Sequence, residues 1–505
     1  MVMPVRKSVV LVTVDCLRAD HCGFMGYRRP TTPFLDGLAC TNDSFVFPAA
    51  VVAGVPTYYS FPAIMASRYP LGLGRELVGL AAEEKSLASV FKENGYATAF
   101  FGAGNPYLSS RFGYEFGFDT FRDSLDDADL AAPSGAGSEP LTSGAWASGV
   151  NRIVEKASRK IPGIAAAYDE LYFQYCRHRG SAAPSLDLLR RFPAADVIVD
   201  RARNWLASVE KNPFFLWLHF MDPHSPYYPT DKGLEIFGKK SLAPSRAQYL
   251  NAYWNRCDIG SARLRCHRDE IIAMYDSGIR WVDAQIARLV DFLGQFKLWE
   301  NCIFALTADH GEEFLEHNGR YHAPSLAEEL IHVPLLVRVP GVEKKAVSDT
   351  PFSLVHLAPT LLAAAQAPIP AEFEGKSYWK HLQEGTQWAE PAVSECIAGC
   401  TNPFILEQRR GGRLLSVRDA RYKLRLNFDA RTQDCFDLQA DPREQTPLPS
   451  AAARPERRRL LQAALEHLRK SCARQASEAY LRVLLRDIDP KSTRALSTAG
   501  SSAAD

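Results

Sequence analysis

The chain alternates helical patterns with unbroken apolar runs. Residues 9–14 form a continuous β-rich run that ends at Asp15, as expected of a strand buried on both faces. In the stretch "KSLASVFKENGYATAFFGA", apolar residues at helical spacing lead to Gly95, which ends the helix before the strand-like "ATAFFGA". This segment therefore predicts a helix followed by a strand.

Two later segments repeat the same plan. A helical pattern to about Glu210 leads through a Lys-Asn-Pro turn into a strand from Phe214 to Phe220, and another leads into a strand from Cys302 to Thr307. Helices that alternate with apolar strands predict an α/β fold, in which helices flank a large, mainly parallel central sheet. In such sheets ligands gather beyond the carboxyl ends of the strands. Four polar residues are expected at those ends: Asp15, His224, Asp309 and His310.

The pattern changes along the chain and predicts three regions. Residues 1–400 carry the alternating pattern and are expected to form the main α/β domain, with a divergent, helical and basic insertion at about 122–192. Residues 401–490 alternate polar and apolar positions and turn helical from Pro455 to about Arg469, which predicts a small antiparallel sheet with a packed helix. The low-complexity residues 491–505 are expected to be a disordered tail.

Bulk composition excludes several classes of partner. Apolar residues make up 46% of the 505 residues, which is normal for a globular protein. The formal charge is +1, from 59 basic and 58 acidic residues, so neither nucleic acid nor an anionic membrane is an expected partner. The N-terminal apolar run is short and precedes no cleavage site, and no apolar run reaches the length of about 18 residues that spans a membrane. We therefore expect a cytoplasmic protein.

The cysteines support a reducing compartment. There are eleven, scattered along the chain, and their odd number leaves at least one unpaired. Cys396 and Cys400 are the closest pair, but no matching second pair exists, so we expect two loop thiols and no zinc site there.

Acidic and imidazole side chains at the expected strand ends could bind a metal. A carboxylate at Asp15 is poorly placed for packing but well placed for a ligand, although a helix cap or a salt bridge would explain it if it stood alone. Asp309 and His310 end another strand in "TADHGEE", with a Gly that allows a sharp turn. Oxygen and nitrogen ligands of this kind suit Ca²⁺, Mg²⁺, Mn²⁺ or Zn²⁺.

Several histidines follow the strands and have different expected roles. His219 is expected to point into the core, and His332, before "VPLLV", is expected to be structural. His224 lies in the Pro-flanked loop "HFMDPHSPYYP", where it could donate to an anionic oxygen, protonate a leaving group, or bond the backbone as a turn residue. His317 and His322 lie in a loop before an expected helix, and either could reach the same site.

Thr57 lies near the start of a short expected helix in "GVPTYYSFPAIMASRYP". Its hydroxyl has two interpretations, a nucleophile or an ordinary helix-capping group. The local sequence does not choose between them.

Many ordered blocks of the chain resemble the sulfatase branch of the alkaline phosphatase superfamily. "VLVTVDCLRADHCGFMGYRRPTTPFLDGLA" resembles that family's opening strand and metal loop, and "SFPAIMASRYP" resembles its nucleophile helix. "FFLWLHFMDPHSPY", "ALTADHGEEFLEH" and "SLAEELIHVPLLVRVPG" match further blocks in the family's order, and "RDARYKLRLNF…DCFDLQADPRE" matches its C-terminal subdomain. The matches run from about residue 8 to 445, outside residues 122–192.

The resemblance implies roles for individual residues and a divalent metal as cofactor. The implied metal ligands are Asp15, Asp309 and His310, with Thr57 as a further one. Thr57, counted back from the Arg-Tyr-Pro, falls at the nucleophile position. His224 and His322 match positions that contact the anion or assist the leaving group.

The sequence departs from the family pattern at four positions. Formylglycine enzymes need a Cys or Ser within Cys-x-Pro-x-Arg, but the five residues here are "TYYSF", so Thr57 replaces the Cys and Phe61 replaces the Arg. Cys16 stands where many members have a second metal-binding Asp. A neutral thiol is a poor ligand for a hard cation, whereas a thiolate could bind zinc. Asn105 stands near the place where a Gly-Lys often binds sulfate.

These residues predict a metal-dependent hydrolase that cleaves a phosphate- or sulfate-type ester of a small anionic molecule through a covalent Thr57 intermediate. Phosphate esters, phosphodiesters and phosphonates are somewhat favoured. The resemblance links threonine nucleophiles with phosphorus esters, and a threonine sulfate ester lacks the formylglycine route for ejecting sulfate. Three alternatives stay open: a sulfatase without formylglycine, a phosphoryl transferase to an alcohol, and a non-catalytic anion-binding descendant.

Overall fold

A seven-stranded sheet forms the centre of the computed structural model, which describes residues 6–74, 77–125, 171, 185–209, 213–236, 242–257, 259–322, 324–343 and 345–470. From edge to edge, its strands are Ser44–Val46, Leu335–Arg338, Cys302–Ala308, Ser8–Val14, Phe214–Phe220, Ala97–Gly102 and Thr120–Arg122. The last five pair in parallel, whereas Leu335–Arg338 is antiparallel to both neighbours. The predicted α/β fold with a mainly parallel central sheet is confirmed.

The three central strands end at the same edge of this sheet. Val14 pairs with Phe220 on one side and with Ala308 on the other. Every residue of the three strands is buried, which explains their unbroken apolar runs. The residues that follow these strands therefore lie at the same edge of the sheet. Asp15 and Asp309 are two of them.

Helices surround the sheet. In the described part of the chain, the α-helices are Pro33–Ala39, Thr57–Ala66, Leu87–Glu93, Ala195–Ser208, Asp231–Ile236, Pro244–Trp254, Ser261–Leu264, Arg268–Gln295, Glu328–Ile331, Leu357–Ala364, Trp379–Glu384, Leu406–Arg409 and Arg454–Lys470. The helices expected before Gly95 and before about Glu210 are confirmed. None of the helices in the described ranges has both the length and the apolarity needed to cross a bilayer.

Two small sheets lie near the carboxyl edge of the central sheet. His332–Val333, Ala50–Val51 and Phe352–Ser353 form a three-stranded one, and Glu313–Phe314 pairs with Arg320–Tyr321. Ala50–Val51 precedes the helix Thr57–Ala66, all ten residues of which are buried. A helix that is buried all round is held in place from every side, so its first residue has a defined position.

The C-terminal part is a four-stranded antiparallel sheet with a packed helix, as the alternating pattern predicts. Its strands are Ala392–Ile397, Arg413–Arg418, Tyr422–Asn427 and Thr432–Asp437. Leucines of the helix Arg454–Lys470 share a buried cluster with apolar residues of these strands. The first strand lies before the expected boundary at residue 401. It contains Cys396, so the expectation that Cys396 is a loop thiol is wrong.

Two of the expected segments lie outside the described residues. The insertion at about 122–192 falls largely on residues 126–170 and 172–184, and the tail at 491–505 lies wholly beyond residue 470. Both remain predictions, as does the extent of the C-terminal subdomain to residue 490.

Candidate active site

Two carboxylates and an imidazole meet at the carboxyl edge of the central sheet. Asp15, Asp309 and His310 are fully buried, and one possible ligand atom from each lies within 4.8 Å of the others. His310 Nε2 is 3.4 Å from Asp309 Oδ2 and 3.8 Å from Asp15 Oδ1. Because the central strands end at the same edge of the sheet, they bring together residues that are almost 300 positions apart in the sequence.

Thr57 lies against this group. It is the first residue of its helix and is buried, and its Oγ1 is 3.1 Å from His310 Nε2. His310 Nδ1 lies 2.9 Å from the Gly311 carbonyl oxygen, to which it donates, so Nε2 carries a lone pair that can accept the Thr57 proton. The N-cap position of the helix belongs to Pro56. The hydroxyl therefore points to the acidic group and not to the helix backbone.

Gly311 is required after His310 by close packing, and not by the backbone conformation of the turn. Its φ angle is not positive, so the turn does not require glycine on conformational grounds. A Cβ there would overlap the carbonyl oxygen of Glu329. The close approach of two backbone segments is therefore what requires a glycine.

Cys16 points its sulfur into the same site. It is fully buried, and its Sγ is 3.1 Å from Asp15 Oδ1 and 3.5 Å from His322 Nδ1. Its φ of 61° is in the left-handed region, which is uncommon for a residue with a side chain. Tyr275 O–H donates to the Cys16 carbonyl over 2.7 Å and helps to hold this conformation.

His224 and His322 form the half-buried edge of the site. Their ring centroids are 5.2 Å apart, and the His322 ring is 4.5 Å from that of His310. His317, the other candidate, instead pairs with Glu329 over 2.6 Å. The structure therefore places His322, and not His317, beside His310. His332 lies in a short strand, where its Nε2 contacts the Pro48 carbonyl oxygen.

Phe61 stands at a position where the family pattern has a charged residue, and Asn105 stands near another. Asn105 is buried, and its Nδ2 donates to Asp15 Oδ2 over 2.8 Å. Phe61 is fully buried, with its ring 5.3 Å from that of His219 and 5.4 Å from that of Trp217. Neither residue supplies positive charge to the site.

Sequence reasoning missed two members of this site. Glu312, the first Glu of "TADHGEE", is fully buried, and its Oε1 is 3.6 Å from His322 Nδ1. His219 is buried as expected, but its Nε2 also lies 3.4 Å from Asp15 Oδ2. The only sequence signal for either residue was its nearness to Asp309 or to a strand end, which is too weak to separate it from a core residue.

Burial and mutual repulsion separate the pKa values of the two aspartates. Burial and the neighbouring Asp15 charge raise the pKa of Asp309 well above its ordinary value. Burial alone would also raise the pKa of Asp15, but His224, His219 and His310 outweigh it and hold that pKa well below the ordinary value. One carboxylate of the pair is thus ionised in preference to the other.

The pKa values of the imidazoles in the site also shift in different directions. Burial and the nearby His322 lower the pKa of His310 to about 3, so this ring is neutral at physiological pH. Burial also lowers the pKa of His224, against the opposing effect of Asp15. For His322, the Glu312 carboxylate outweighs burial and raises the pKa. Burial raises the pKa of the Cys16 thiol well above its ordinary value, and nearby carboxylates add to this effect.

A divalent cation fits the donor groups. Asp309 Oδ2 and both Glu312 oxygens accept no hydrogen bond in the described part of the chain. Among the described residues, the ion-pair partners of Asp15, Asp309 and Glu312 are histidines, with no Lys or Arg. Buried carboxylates need a compensating charge. A cation bound by Asp15, Asp309 and His310 would provide it.

Solved structures of other proteins share the fold of this chain. The fold is similar to that of the phosphonate monoester hydrolase of Agrobacterium radiobacter (TM-score 0.60, 18% identity, covering 92% of this chain and 96% of that one). It is also similar to that of a protein solved in complex with its substrate D-glucosamine-2-N,6-O-disulfate (TM-score 0.62, 16% identity, covering 92% and 98%). The chain thus has the alkaline phosphatase-like fold of sulfatases and phosphonate hydrolases.

The amino-acid sequence matches two family models. The family model described as Sulfatase matches residues 7–367, and one described as N-sulphoglucosamine sulphohydrolase, C-terminal, matches residues 316–471. The chain therefore belongs to the sulfatase family, which confirms the resemblance seen in its motifs.

The curated relatives match about half of this chain. The chain is 28% identical over 283 residues to arylsulfatase K of Canis lupus familiaris (49% of this chain, 50% of the relative). It is 26% identical over 260 residues to an endo-4-O-sulfatase of Bacteroides thetaiotaomicron (47% and 48%). The chain spans about half the length of the curated relatives it matches.

Proposed function

We propose that this protein is a metal-dependent hydrolase that cleaves a sulfate- or phosphate-type ester of a small molecule, with Thr57 Oγ1 as the nucleophile. The observation that carries the proposal is the position of this oxygen, 3.1 Å from His310 Nε2 and beside two buried carboxylates. A hydroxyl of ordinary pKa is a weak nucleophile, and its neighbours here are groups that can activate it.

Several residues of the site would contribute to the first step, in which Thr57 Oγ1 attacks the ester. His310 is neutral, and its Nε2 lone pair, 3.1 Å from Thr57 Oγ1, is the donor with which this ring would bind a cation beside the hydroxyl. The N-terminus of the helix Thr57–Ala66 favours an alkoxide and an anionic group at its first residue. A divalent cation held by Asp15, Asp309 and His310 would lower the pKa of the Thr57 hydroxyl and neutralise charge on the transferred group.

The half-buried histidines are placed to assist the leaving group. The Glu312 carboxylate raises the pKa of His322, so that ring can carry the proton that a departing oxygen needs. His224 lies at the same edge, with its ring centroid 5.2 Å from that of His322. Asn105 holds Asp15 in place through its amide group.

Phosphorus esters, including phosphonates, are the favoured substrates within this class. A formylglycine hydrate can eject sulfate by breaking a carbon–oxygen bond, whereas a threonine ester has to be hydrolysed by water. The absence of the Cys-x-Pro-x-Arg pattern and of a charged residue at Phe61 agrees with this preference. Among proteins of similar fold, the Agrobacterium enzyme is by its name a phosphonate monoester hydrolase.

A panel of nitrophenyl esters tests the substrate class. Phosphate, phosphodiester, phosphonate and sulfate esters are each assayed with Zn²⁺, Mn²⁺, Mg²⁺ and Ca²⁺, with and without an added alcohol. We expect faster turnover of a phosphorus ester than of the sulfate. Faster turnover of the sulfate would contradict the phosphorus preference, and transfer to the alcohol in place of hydrolysis would identify a transferase.

Replacing Thr57 tests the nucleophile. We expect Thr57→Ala to lower kcat about 10³-fold or more, because the covalent step is lost, while the thermal unfolding curve stays close to that of the wild type. Ser60→Ala is the matched control, since Ser60 is a buried hydroxyl on the same helix with no hydrogen-bond partner in the described part of the chain. Equal activity of the Thr57→Ala and Ser60→Ala variants would rule out Thr57 as the nucleophile.

Replacing Asp309 tests the metal site. We expect Asp309→Asn to lower the metal content of the purified protein, because an amide oxygen is a weaker ligand than a carboxylate. Elemental analysis of the wild type and the variant measures this directly. An unchanged metal content would show that Asp309 is not a ligand.

A further inference from the structure

The loop that carries His224 has no regular secondary structure of its own. Residues 222–229 form neither helix nor strand. Among the described residues, the only backbone-to-backbone hydrogen bond of this loop runs from the His224 N–H to the Met221 carbonyl oxygen, over 3.0 Å. The position of His224 relative to His322 therefore depends on side chains that hold the loop from outside.

Arg190 bonds both ends of this loop. Its Nη2 donates to Asp222 Oδ1 over 2.8 Å, two residues before His224, and its Nη1 donates to the Tyr228 carbonyl oxygen over 2.6 Å, four residues after it. The side chain of Arg190 is 9% exposed and that of Asp222 is fully buried, so this is not a loose surface pair. A planar guanidinium presents its N–H donors in a fixed fork, which suits it to bridge two acceptors. One side chain thus sets the distance between the two ends of the loop.

The segment of residues 185–192 also reaches the His224 ring. The Phe192 ring lies edge-on to it, with the centroids 5.6 Å apart and the planes at 85°, which is a favourable arrangement of two rings. The His322 ring is a second neighbour of His224, at 5.2 Å. Residues 185–192 are the described end of the insertion expected at about 122–192. The end of that insertion therefore contacts the edge of the candidate active site.

A segment can position a loop only if it is itself held in place, and two observations show that this one is. Leu186 is fully buried in the main core of the protein. Residues 185–192 lead into the helix Ala195–Ser208, and the Ala195 N–H donates to Asp222 Oδ1 over 3.3 Å. The same carboxylate thus accepts from the start of the helix and from Arg190.

We propose that Arg190 is a positioning residue, which clamps the loop of residues 222–229 and so holds His224 beside His322. A reacting group that is misplaced by about 1 Å can cost a reaction about 100-fold in rate, so the clamp matters for turnover as well as for folding. The inference rests on the proposed function for the chemistry of His224, and on the geometry of the loop for the role of Arg190.

A double-mutant cycle measures whether Arg190 acts through His224. With the nitrophenyl ester that the wild type cleaves fastest, we expect Arg190→Ala to lower kcat about 10- to 100-fold. In a His224→Ala background the same change should have little further effect, because the ring that Arg190 positions is no longer there. A merely structural residue would lower kcat by the same factor in both backgrounds, and that result would overturn the proposal.

Two further variants sharpen the cycle. Arg190→Ala leaves the buried Asp222 without its cation and can fold poorly, whereas Arg190→Lys keeps a charge there but lacks the fork that reaches both ends of the loop. We expect Arg190→Lys to unfold at nearly the wild-type temperature and to have a lowered kcat only when His224 is present. Full activity of Arg190→Lys would contradict the clamp. Arg191→Ala, at the exposed next position, is the matched control and should keep the wild-type kcat.

Crystal structures of the wild type and of Arg190→Lys test the clamp without turnover. We expect the His224 ring of the variant to shift by about 1 Å or more, or residues 222–229 to lose defined density. A His224 ring that stays 5.2 Å from that of His322 would overturn the proposal. If the wild type hydrolyses none of the esters, the proposed function is wrong, and this comparison still decides whether Arg190 positions His224.

Discussion

Single residues show how this chain departs from its family without losing the site. Phe61 stands where the family pattern has an Arg, and its ring is enclosed by Trp217, His219 and Tyr114. Thr57, four residues earlier, keeps its place against His310. The replacement therefore exchanges a charge on this helix for aromatic packing beneath it.

The packing around Phe61 predicts that the family's Arg cannot simply be restored. We expect Phe61→Arg to lower the free energy of unfolding by about 3 kcal/mol or more, because a charge would be buried without a partner among aromatic rings. Denaturant unfolding measures the loss, and Phe61→Leu is the control, with an expected cost of about 1–2 kcal/mol. An Arg variant as stable as the Leu variant would show that the pocket can accept a guanidinium.

At the scale of elements, Glu395 ties the C-terminal sheet to the segment that leads to Thr57. It is fully buried in the strand Ala392–Ile397, and its backbone N–H donates to the Ala53 carbonyl over 2.9 Å. Its carboxylate accepts from the Leu71 N–H over 3.0 Å and lies 3.2 Å from His467 Nε2 on the C-terminal helix. Through its backbone and its side chain, this one residue joins its strand to the segments at Ala53 and Leu71 and to the C-terminal helix.

This arrangement predicts a pH-dependent loss of stability. Burial alone would raise the pKa of Glu395, but Arg413, His467 and the Leu71 N–H outweigh it and lower that pKa from 4.5 to about 2. Because the folded-state pKa is depressed, the stabilisation is complete above the ordinary pKa and is lost as pH falls through the folded value. The relevant window is thus from about pH 4.5 down to about pH 2.

We expect Glu395→Gln to lower the free energy of unfolding by about 3 kcal/mol at neutral pH, because Arg413 and His467 lose a buried partner. The difference from the wild type should shrink as pH falls through that window, and denaturant unfolding at several pH values measures it. Glu372→Gln, at an exposed position, is the control and should change little. A constant difference between wild type and Glu395→Gln at all pH values would contradict the depressed pKa.

At the scale of the whole molecule, the site joins residues from distant parts of the chain, so a bound metal should stabilise the entire fold. We expect Zn²⁺ to raise the Tm by a few degrees, since a ligand at 100 times its Kd contributes about 2.7 kcal/mol. Differential scanning calorimetry with Zn²⁺ and then with a chelator measures the change. The rise should be smaller in Asp309→Asn, and an equal rise in both proteins would show that zinc binds elsewhere.

Much of the architecture could be predicted because burial on both faces leaves a direct trace in the sequence. The strands Ser8–Val14, Phe214–Phe220 and Cys302–Ala308 are unbroken apolar runs, and each ends near a polar residue of the site. The strand Ala392–Ile397 was missed as part of the C-terminal sheet because it lies before the stretch of alternating residues. Its partner strand begins only at Arg413, and local patterns carry no information on such pairing.

Periodicity and ordered motifs specify which element a residue belongs to, so they were enough to predict the fold class, the family and the presence of Asp15, Asp309 and His310 at strand ends. The packing of the folded chain was needed to show that His322, and not His317, reaches the site. It was also needed to show that Glu312 lies buried there without a hydrogen bond from the described residues. It also decided that the Cys16 sulfur lies within reach of His224. Cys16 and His224 are 208 positions apart in the sequence. All of these distances depend on how the turns beyond the sheet pack against one another, which no local pattern encodes.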